Sequence, residues 1–320
     1  MTKVLSVKNL HISFLTERAT TYALRGVDFD LNANETLGIV GESGSGKSVL
    51  IKSLLRLLPK SSAKVDKGSI FFKDIDILQL KPGKVRKLRR NNFGFVFQDP
   101  MSSLNPTMKI GKQIEESMPQ ISRKMRKQKT LDLLNGVGIT NPDLRANQYP
   151  HELSGGMRQR VMISIALAAS PEVLIMDEPT TALDVTIQAE ILKLIKTIKE
   201  TKNMSIIFIT HDFSLVSGFC DRVLVMYAGK VVESGPTNSL LKAPKHPYTH
   251  ALLKSIPRLH DDHIIEPIQG SLPNMQKKTK NCLFSPRCPF AMPKCQNESP
   301  KLLEIGQNHK TRCFLYDSSD

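Results

Sequence analysis

At 320 residues the chain has room for about two domains and for a core that needs no disulfide staples. Hydrophobic residues make up 40% and charged residues 23%, ordinary globular values, and the absence of any run of about 18 apolar residues excludes a membrane-spanning helix. The net charge of +15 favours an anionic partner, whether phosphate, nucleic acid or a membrane surface, against the plainer alternative of solvated basic helix faces.

The start, Met1 to Lys8, lacks the basic-then-apolar plan of a secretory signal, so the expected location is the cytosol. Residues 35–40 read as a short buried strand that ends in glycines. A helix follows, with Val49, Leu50, Leu54, Leu55 and Leu58 at helical spacing. Two basic runs, one from Lys81 to Arg90 and one from Arg123 to Lys129, carry no interleaved aromatics. With Trp absent as well, a stacking platform for single-stranded nucleic acid is disfavoured. Residues 93–97 read as a strand. From about 101 to 167 the pattern turns helical, broken at Asn105-Pro106 and Asn141-Pro142. Strand and helix then alternate: a strand at 173–176, a helix with Ile187, Ile191, Leu194, Ile195 and Ile198 on one face, and strands at 205–209 and 222–226. This order predicts a largely parallel sheet covered by helices, with a helical insertion. Beyond about Arg258 prolines multiply and periodicity fades. That tail is expected to be loop-rich and to need something other than a core to hold it.

Gly41-Glu42-Ser43-Gly44-Ser45-Gly46-Lys47-Ser48 fits G-x-x-x-x-G-K-[ST] between a predicted strand and a predicted helix, the context this motif requires. Glycines let backbone N–H groups turn inward around a phosphate, and the helix N-terminus adds favourable dipole charge. Lys47 would reach the β- and γ-phosphates and Ser48 would ligate Mg²⁺, with Val49 opening the helix behind them. Alone the loop means only nucleotide binding. Asp177 and Glu178 narrow the reading, because an apolar strand delivers its terminal side chains to the site at its C-terminal edge. Asp177 would hold Mg²⁺, and Glu178 would polarise the attacking water as a general base. The alternative is a pair of acids capping the turn at Pro179, which is weak beside a phosphate loop.

Leu153-Ser154-Gly155-Gly156-Met157-Arg158-Gln159 places a serine and two glycines at a helix start, a second anion site of N–H groups and a hydroxyl. By itself it would be a helix cap. In this chain order it resembles the signature motif of ABC-type ATPases. Gln98 resembles the Q-loop, Thr181-Ala182-Leu183-Asp184 the D-loop, and His211 the switch histidine. The resemblance implies an α/β fold: a P-loop ABC ATPase core with a mainly parallel sheet, an antiparallel β portion, a helical subdomain insertion and a loop-rich C-terminal extension. It divides the chain into a core at 1–98 and 160–240, a helical signature subdomain at 99–159 and an extension at 241–320. It also gives roles. Gln98 would contact Mg²⁺ or the attacking water, His211 the γ-phosphate, and Tyr22 would stack on adenine with Phe14 as second candidate. Ser154, Gly155, Gly156 and Asp184 would contact ATP held by an opposite subunit.

The segment from Gln98 to Pro106, His246-Pro247-Tyr248-Thr249, the stretch from Pro267 to Pro273 and the tail from Cys282 to Pro289 extend the resemblance. They are similar to the ATP-binding subunits of oligopeptide and dipeptide importers. That implies ATP hydrolysis driving uptake through two separate membrane permease subunits, at the cytoplasmic face of the membrane. A second ATPase subunit is implied, expected to be a related but different chain, with an extracellular solute-binding protein as indirect partner. Importers of nickel or other small solutes use close relatives and remain the alternative. A DNA-associated ABC ATPase would suit the charge. However, only about fifty residues separate Gln98 from Leu153, too few for the coiled-coil arms such enzymes carry.

Of five cysteines, Cys220 stands alone, while Cys282, Cys288, Cys295 and Cys313 crowd the tail. In a reducing cytosol such a cluster points to metal rather than disulfides. The C-x5-C-x6-C-x17-C spacing has none of the tight pairs that zinc sites favour. Longer, proline-broken loops suit a [4Fe–4S] cubane, and some of the resembling importer subunits carry one here. Iron–sulfur is therefore expected ahead of zinc, in a structural role.

Overall fold

The computed structural model describes residues 2–17, 19–181, 183–255 and 268–317. Ala182 of the D-loop motif and Pro267 of the tail motif lie outside them. Along the chain come strands β1 (Lys3–Leu15), β2 (Thr20–Asn32) and β3 (Thr36–Val40), helix α1 (Lys47–Leu54), strands β4 (Ala63–Phe72) and β5 (Ile75–Asp76), helix α2 (Pro82–Asn92) and strand β6 (Phe93–Val96). Five helices follow: α3 (Pro100–Ser103), α4 (Ile110–Glu116), α5 (Arg123–Gly136), α6 (Pro142–Ala146) and α7 (Gly155–Leu167). Then come β7 (Val173–Asp177), α8 (Val185–Lys202), β8 (Ser205–Thr210), β9 (Arg222–Tyr227), β10 (Lys230–Pro236), α9 (Thr237–Lys242) and α10 (Pro247–Lys254). The tail holds α11 (Pro293–Asn297) and the strands β11 (Leu303–Gly306) and β12 (His309–Thr311).

Two compact units are distinguished, Met1–Leu80 with Thr210–Asp320, and Lys81–Ile209. The first holds an antiparallel sheet in the order β2-β1-β4-β5 and a run β11-β12-β10-β9-β3, in which β3 pairs parallel with β9. Strand β1 buries Val4, Leu5, Val7, Leu10, Ile12 and Ser13, so its alternation breaks more than once. One break is a bulge: the register shifts between Val7 and Leu10, and Asn9 takes φ 45 with its N–H on Asp28 Oδ1. A bulge resets the two-residue period, which is why these long strands are not legible one by one from the sequence.

The second unit holds the parallel strands β6, β7 and β8. Every residue of β7 and β8 is buried, as expected for strands covered on both faces. Helix α7 turns Val161, Met162, Ile163, Ala166 and Leu167 inward. It lies so close to β6 that a side chain at Gly94 would strike the Ala166 carbonyl. Ile191 and Ile195 are the buried face of α8. The basic runs fall on α2 and α5; Val85 is the only buried residue of α2, while Arg126 and Lys129 on α5 are half-buried.

The tail departs from the expectation that it lacks a core. Phe284 is 2% exposed and packs against Tyr227, Tyr248 and His246, with ring centroids 5.2, 5.4 and 5.8 Å away. Burying such a ring contributes about 1.5–3 kcal/mol. The β11–β12 hairpin joins β10 through β12. It is pinned there by His309 Nε2, 2.7 Å from Oε1 of the fully buried Glu233. The Glu233 carboxylate also accepts the N–H groups of Lys245 and His246. These anchors are single residues without period, which a periodicity reading passes over.

Candidate nucleotide and cysteine sites

The loop from Gly41 to Ser48 joins β3 to α1 in the first unit. Gly44 and Gly46 lie at φ 81 and 104, so the loop's N–H groups turn in a way that other residues resist. Ser43, Gly44 and Ser48 are exposed, and Val49 is half-buried. Lys47 is buried, its Nζ donating to the carbonyls of Gly41 at 2.6 Å and Glu42 at 3.0 Å. Ser45 is fully buried and its Oγ has no hydrogen-bond partner. An orphaned, buried hydroxyl in a glycine-rich loop is a feature a phosphate oxygen would satisfy. The loop therefore fits a nucleotide triphosphate.

The same unit holds the other two residues named for nucleotide contact. His211 is exposed, just after β8. Tyr22 lies on β2, its N–H donating to the Met275 carbonyl at 2.9 Å. Its ring already carries cations, with Lys278 Nζ 4.9 Å and Arg25 Cζ 5.8 Å from the centroid. A base stacked on this ring would have to displace one of them.

In the second unit β7 ends at Asp177, which is buried, and the chain turns at Glu178 with φ 46. A left-handed non-glycine residue costs of order 1–3 kcal/mol and persists where the surroundings over-determine it. Here Glu178 N–H donates to the Ile209 carbonyl, and Oε2 accepts from Gln98 Nε2 at 3.1 Å and Thr181 Oγ1 at 3.2 Å. The fold thus brings Gln98 and Glu178, 80 residues apart in sequence, into one hydrogen-bonded pair beside Asp177. Ser154 caps α7, accepting from Met157 N at 3.3 Å. Gly156 lets α7 approach Ile187 at the start of α8, where Asp184 is the N-cap. Gln188 donates to the carbonyls of Thr180 and Leu183 and so fixes the turn between β7 and α8. Gln188 lies outside the motifs, and no spacing rule singles it out, because its two bonds exist only once the turn has folded.

The four tail cysteines line one small pocket together with Phe284, Phe290 and Met292. Cys282 N–H donates to the Cys295 carbonyl at 2.9 Å, closing the loop between them. Burial pushes the Cys313 thiol up to about 11, and Cys282 and Cys288 also rise, the neighbouring cysteines adding to each. Among the described residues no three His, Cys, Asp or Glu side chains stand close enough to clasp a single metal ion. Around one zinc, four sulfurs at about 2.3 Å would lie within about 4 Å of each other. Cys220 is buried apart from them, near Gly38.

Two contacts escaped the motif reading. Glu42, a variable position of the phosphate loop, donates its N–H to Tyr248 Oη at 2.8 Å and pairs its carboxylate with Arg287. Tyr248 lies in the His-Pro-Tyr-Thr stretch and Arg287 directly precedes Cys288, so both stood in noted segments, though their partner could not be read there.

The ABC transporter family matches residues 24–181, and the C-terminal region of oligopeptide/dipeptide transporters matches residues 232–295. The chain is 46% identical over 321 residues to the dipeptide transport ATP-binding protein DppD of Bacillus subtilis, covering 99% of this chain and 96% of that protein. It is 45% identical over 320 residues to the oligopeptide transport ATP-binding protein OppD of the same organism, with 98% and 89% covered. Among solved structures, it resembles a dimeric ATP-binding cassette in a post-hydrolysis state bound to ADP and Pi. There the TM-score is 0.65 at 28% identity, covering 73% of this chain and 98% of that one. It also resembles cbiO1 from Clostridium perfringens, part of the cbiONQ transporter complex, with TM-score 0.66, 28% identity, and 76% and 92% covered.

Proposed function

The chain belongs to the ABC transporter ATP-binding subunits of the oligopeptide/dipeptide family, and from that premise we propose that it hydrolyses ATP to power peptide uptake through separate membrane subunits. The observation that carries hydrolysis is the Gln98–Glu178 pair at a left-handed turn directly after Asp177. The cargo class rests on a likeness that runs through the tail as well as the cassette.

In this reading the loop N–H groups and Ser45 hold the phosphates, and Lys47 exchanges its loop carbonyls for the β- and γ-oxygens. Ser48, Gln98 and Asp177 would hold Mg²⁺, which would supply charge to neutralise the phosphates. Glu178 takes the proton of the attacking water, Gln98 and Thr181 keep its carboxylate aimed, and His211 contacts the γ-phosphate. Tyr22 stacks on adenine, displacing Lys278. Ser154, Gly155, Gly156 and Asp184 serve ATP held by a second ATPase subunit, a related but different chain. Residues 1–98 and 160–240 act as the hydrolytic core, 99–159 as the signature subdomain and 241–320 as the extension. No helix among the described residues is long and apolar enough to cross a membrane. The chain sits peripherally at the cytoplasmic face, on two permease subunits that receive solute from an extracellular binding protein.

Glu178→Gln keeps shape and removes the base. It should retain Mg·ATP binding and lower turnover by about 10²-fold or more; wild-type turnover in that variant removes Glu178 from its role.

Cys282, Cys288, Cys295 and Cys313 would hold a [4Fe–4S] cluster, whose chemistry here is structural cross-linking of the tail loops. Anaerobically purified protein is expected to be brown, with about four irons per chain, and Cys288→Ser to lose them while Cys220→Ser does not. Colourless protein with one zinc would replace iron–sulfur by zinc.

A further inference from the structure

We propose that Arg287 is a positioning residue of the nucleotide site: its guanidinium grips and neutralises Glu42, so that the cysteine-rich tail holds the phosphate-binding loop in its working shape. The inference rests on the nucleotide reading above and extends it to a residue outside every motif of the cassette.

Glu42 is held on three sides. Its N–H donates to Tyr248 Oη, its carbonyl accepts from Lys47 Nζ, and its carboxylate receives Arg287 Nη1 at 2.8 Å and Nη2 at 3.0 Å. Two of the three come from the C-terminal extension. The Arg287 side chain is 5% exposed and that of Glu42 25%, so this fork is far less screened than a surface pair. Arg287 is itself fixed. Its Nε donates to the Gln269 carbonyl at 2.8 Å and its Nη2 to the Ile268 carbonyl at 3.1 Å, and Cζ stands 5.8 Å from the centroid of the Tyr227 ring. Gly270 leaves room for the guanidinium's stem, since a β-carbon there would press on Arg287 Cγ. The segment Arg287 holds runs on to the nucleotide loop, with Leu272 beside Gly44, and to Tyr22 through the Met275 carbonyl.

A carboxylate inside a phosphate-binding loop opposes the binding of a polyanion unless something neutralises it. Arg287 supplies that charge, and its planar fork also sets the orientation of the residue whose carbonyl receives Lys47. The two effects make a signature that plain structural support would not give. Removing Arg287 leaves Glu42 charged and loose, whereas removing both charges restores neutrality.

The test is calorimetric titration of the full chain with Mg·ATP, in the Glu178→Gln background to prevent turnover. Arg287→Ala is expected to weaken binding about tenfold, and adding Glu42→Gln to recover most of that loss. Arg287→Lys keeps the charge without the fork. It should lose only about threefold, a loss that Glu42→Gln does not recover, and it serves if the alanine variant fails to fold. Wild-type-like binding by Arg287→Ala, or an alanine double variant as weak as or weaker than its single, overturns the proposal while leaving the nucleotide site intact. A parent chain that does not bind Mg·ATP at all overturns both.

Discussion

Gly41 begins the phosphate loop at φ 154, and a β-carbon there would collide with the Met226 carbonyl oxygen. The obstacle is backbone, which cannot swing aside as a side-chain tip does. Gly41→Ala should therefore cost about 3 kcal/mol and abolish Mg·ATP binding by displacing the loop. Gly83 on α2 has nothing within 4 Å of its β-position, and Gly83→Ala should leave stability unchanged or raise it by up to about 1 kcal/mol. Chemical denaturation of the two variants checks the contrast; equal effects would mean that the loop is not jammed against β9. Glu178 shows the same principle from the other side. Its left-handed φ is kept because Ile209, Gln98 and Thr181 all hold it. Nothing in the pair Asp177-Glu178 as letters announces that turn.

Helix α10 starts at a buried histidine. His246 Nδ1 accepts the Tyr248 N–H, capping the helix. Burial lowers the imidazole's pKa from 6.5 to about 3, offset in part by a hydrogen bond to the Arg312 backbone. The folded state therefore holds a neutral ring between those two values, while the unfolded chain takes up a proton. Stability from this group is complete above about pH 6.5 and is lost as pH falls toward 3. His246→Asn keeps a cap but cannot titrate. It should be less stable than the parent at pH 8, with the gap closing by about pH 5 in urea melts. A gap that stays constant across that range would show that His246 does not titrate on unfolding. The titrating ring also packs on Phe284, so acid should loosen the contact between α10 and the tail before it touches the strands β7 and β8, which contain no histidine.

At the scale of the whole molecule, the proposal gives Ser154 and Gly156, at the capped start of α7, an anion site that the chain's own phosphate loop would not need. Two chains facing head to tail would use both. In a mixture of Lys47→Ala with Ser154→Arg, each chain carries one defect, and a paired arrangement places both defects in one site and none in the other. Where the chain is made to pair with itself in place of its related partner, ATP turnover should then return in the mixture, measured on pairs confirmed by cross-linking; paired chains without recovery would count against shared sites. The sequence by itself determined the phosphate loop, the order of the cassette motifs, the parallel strands and the amphipathic face of α8. All of these are written in local spacing, short apolar runs or the 3.6-residue period. It also placed the four cysteines in one segment. Tertiary structure alone decided that the N-terminal strands are bulged, that Gln98 meets Glu178, that Phe284 gives the tail a core, and that Arg287 reaches Glu42 across 245 residues. Each of these depends on contacts between residues remote in sequence. Such a contact has no period and no fixed spacing, and only the folded path of the backbone brings its partners together.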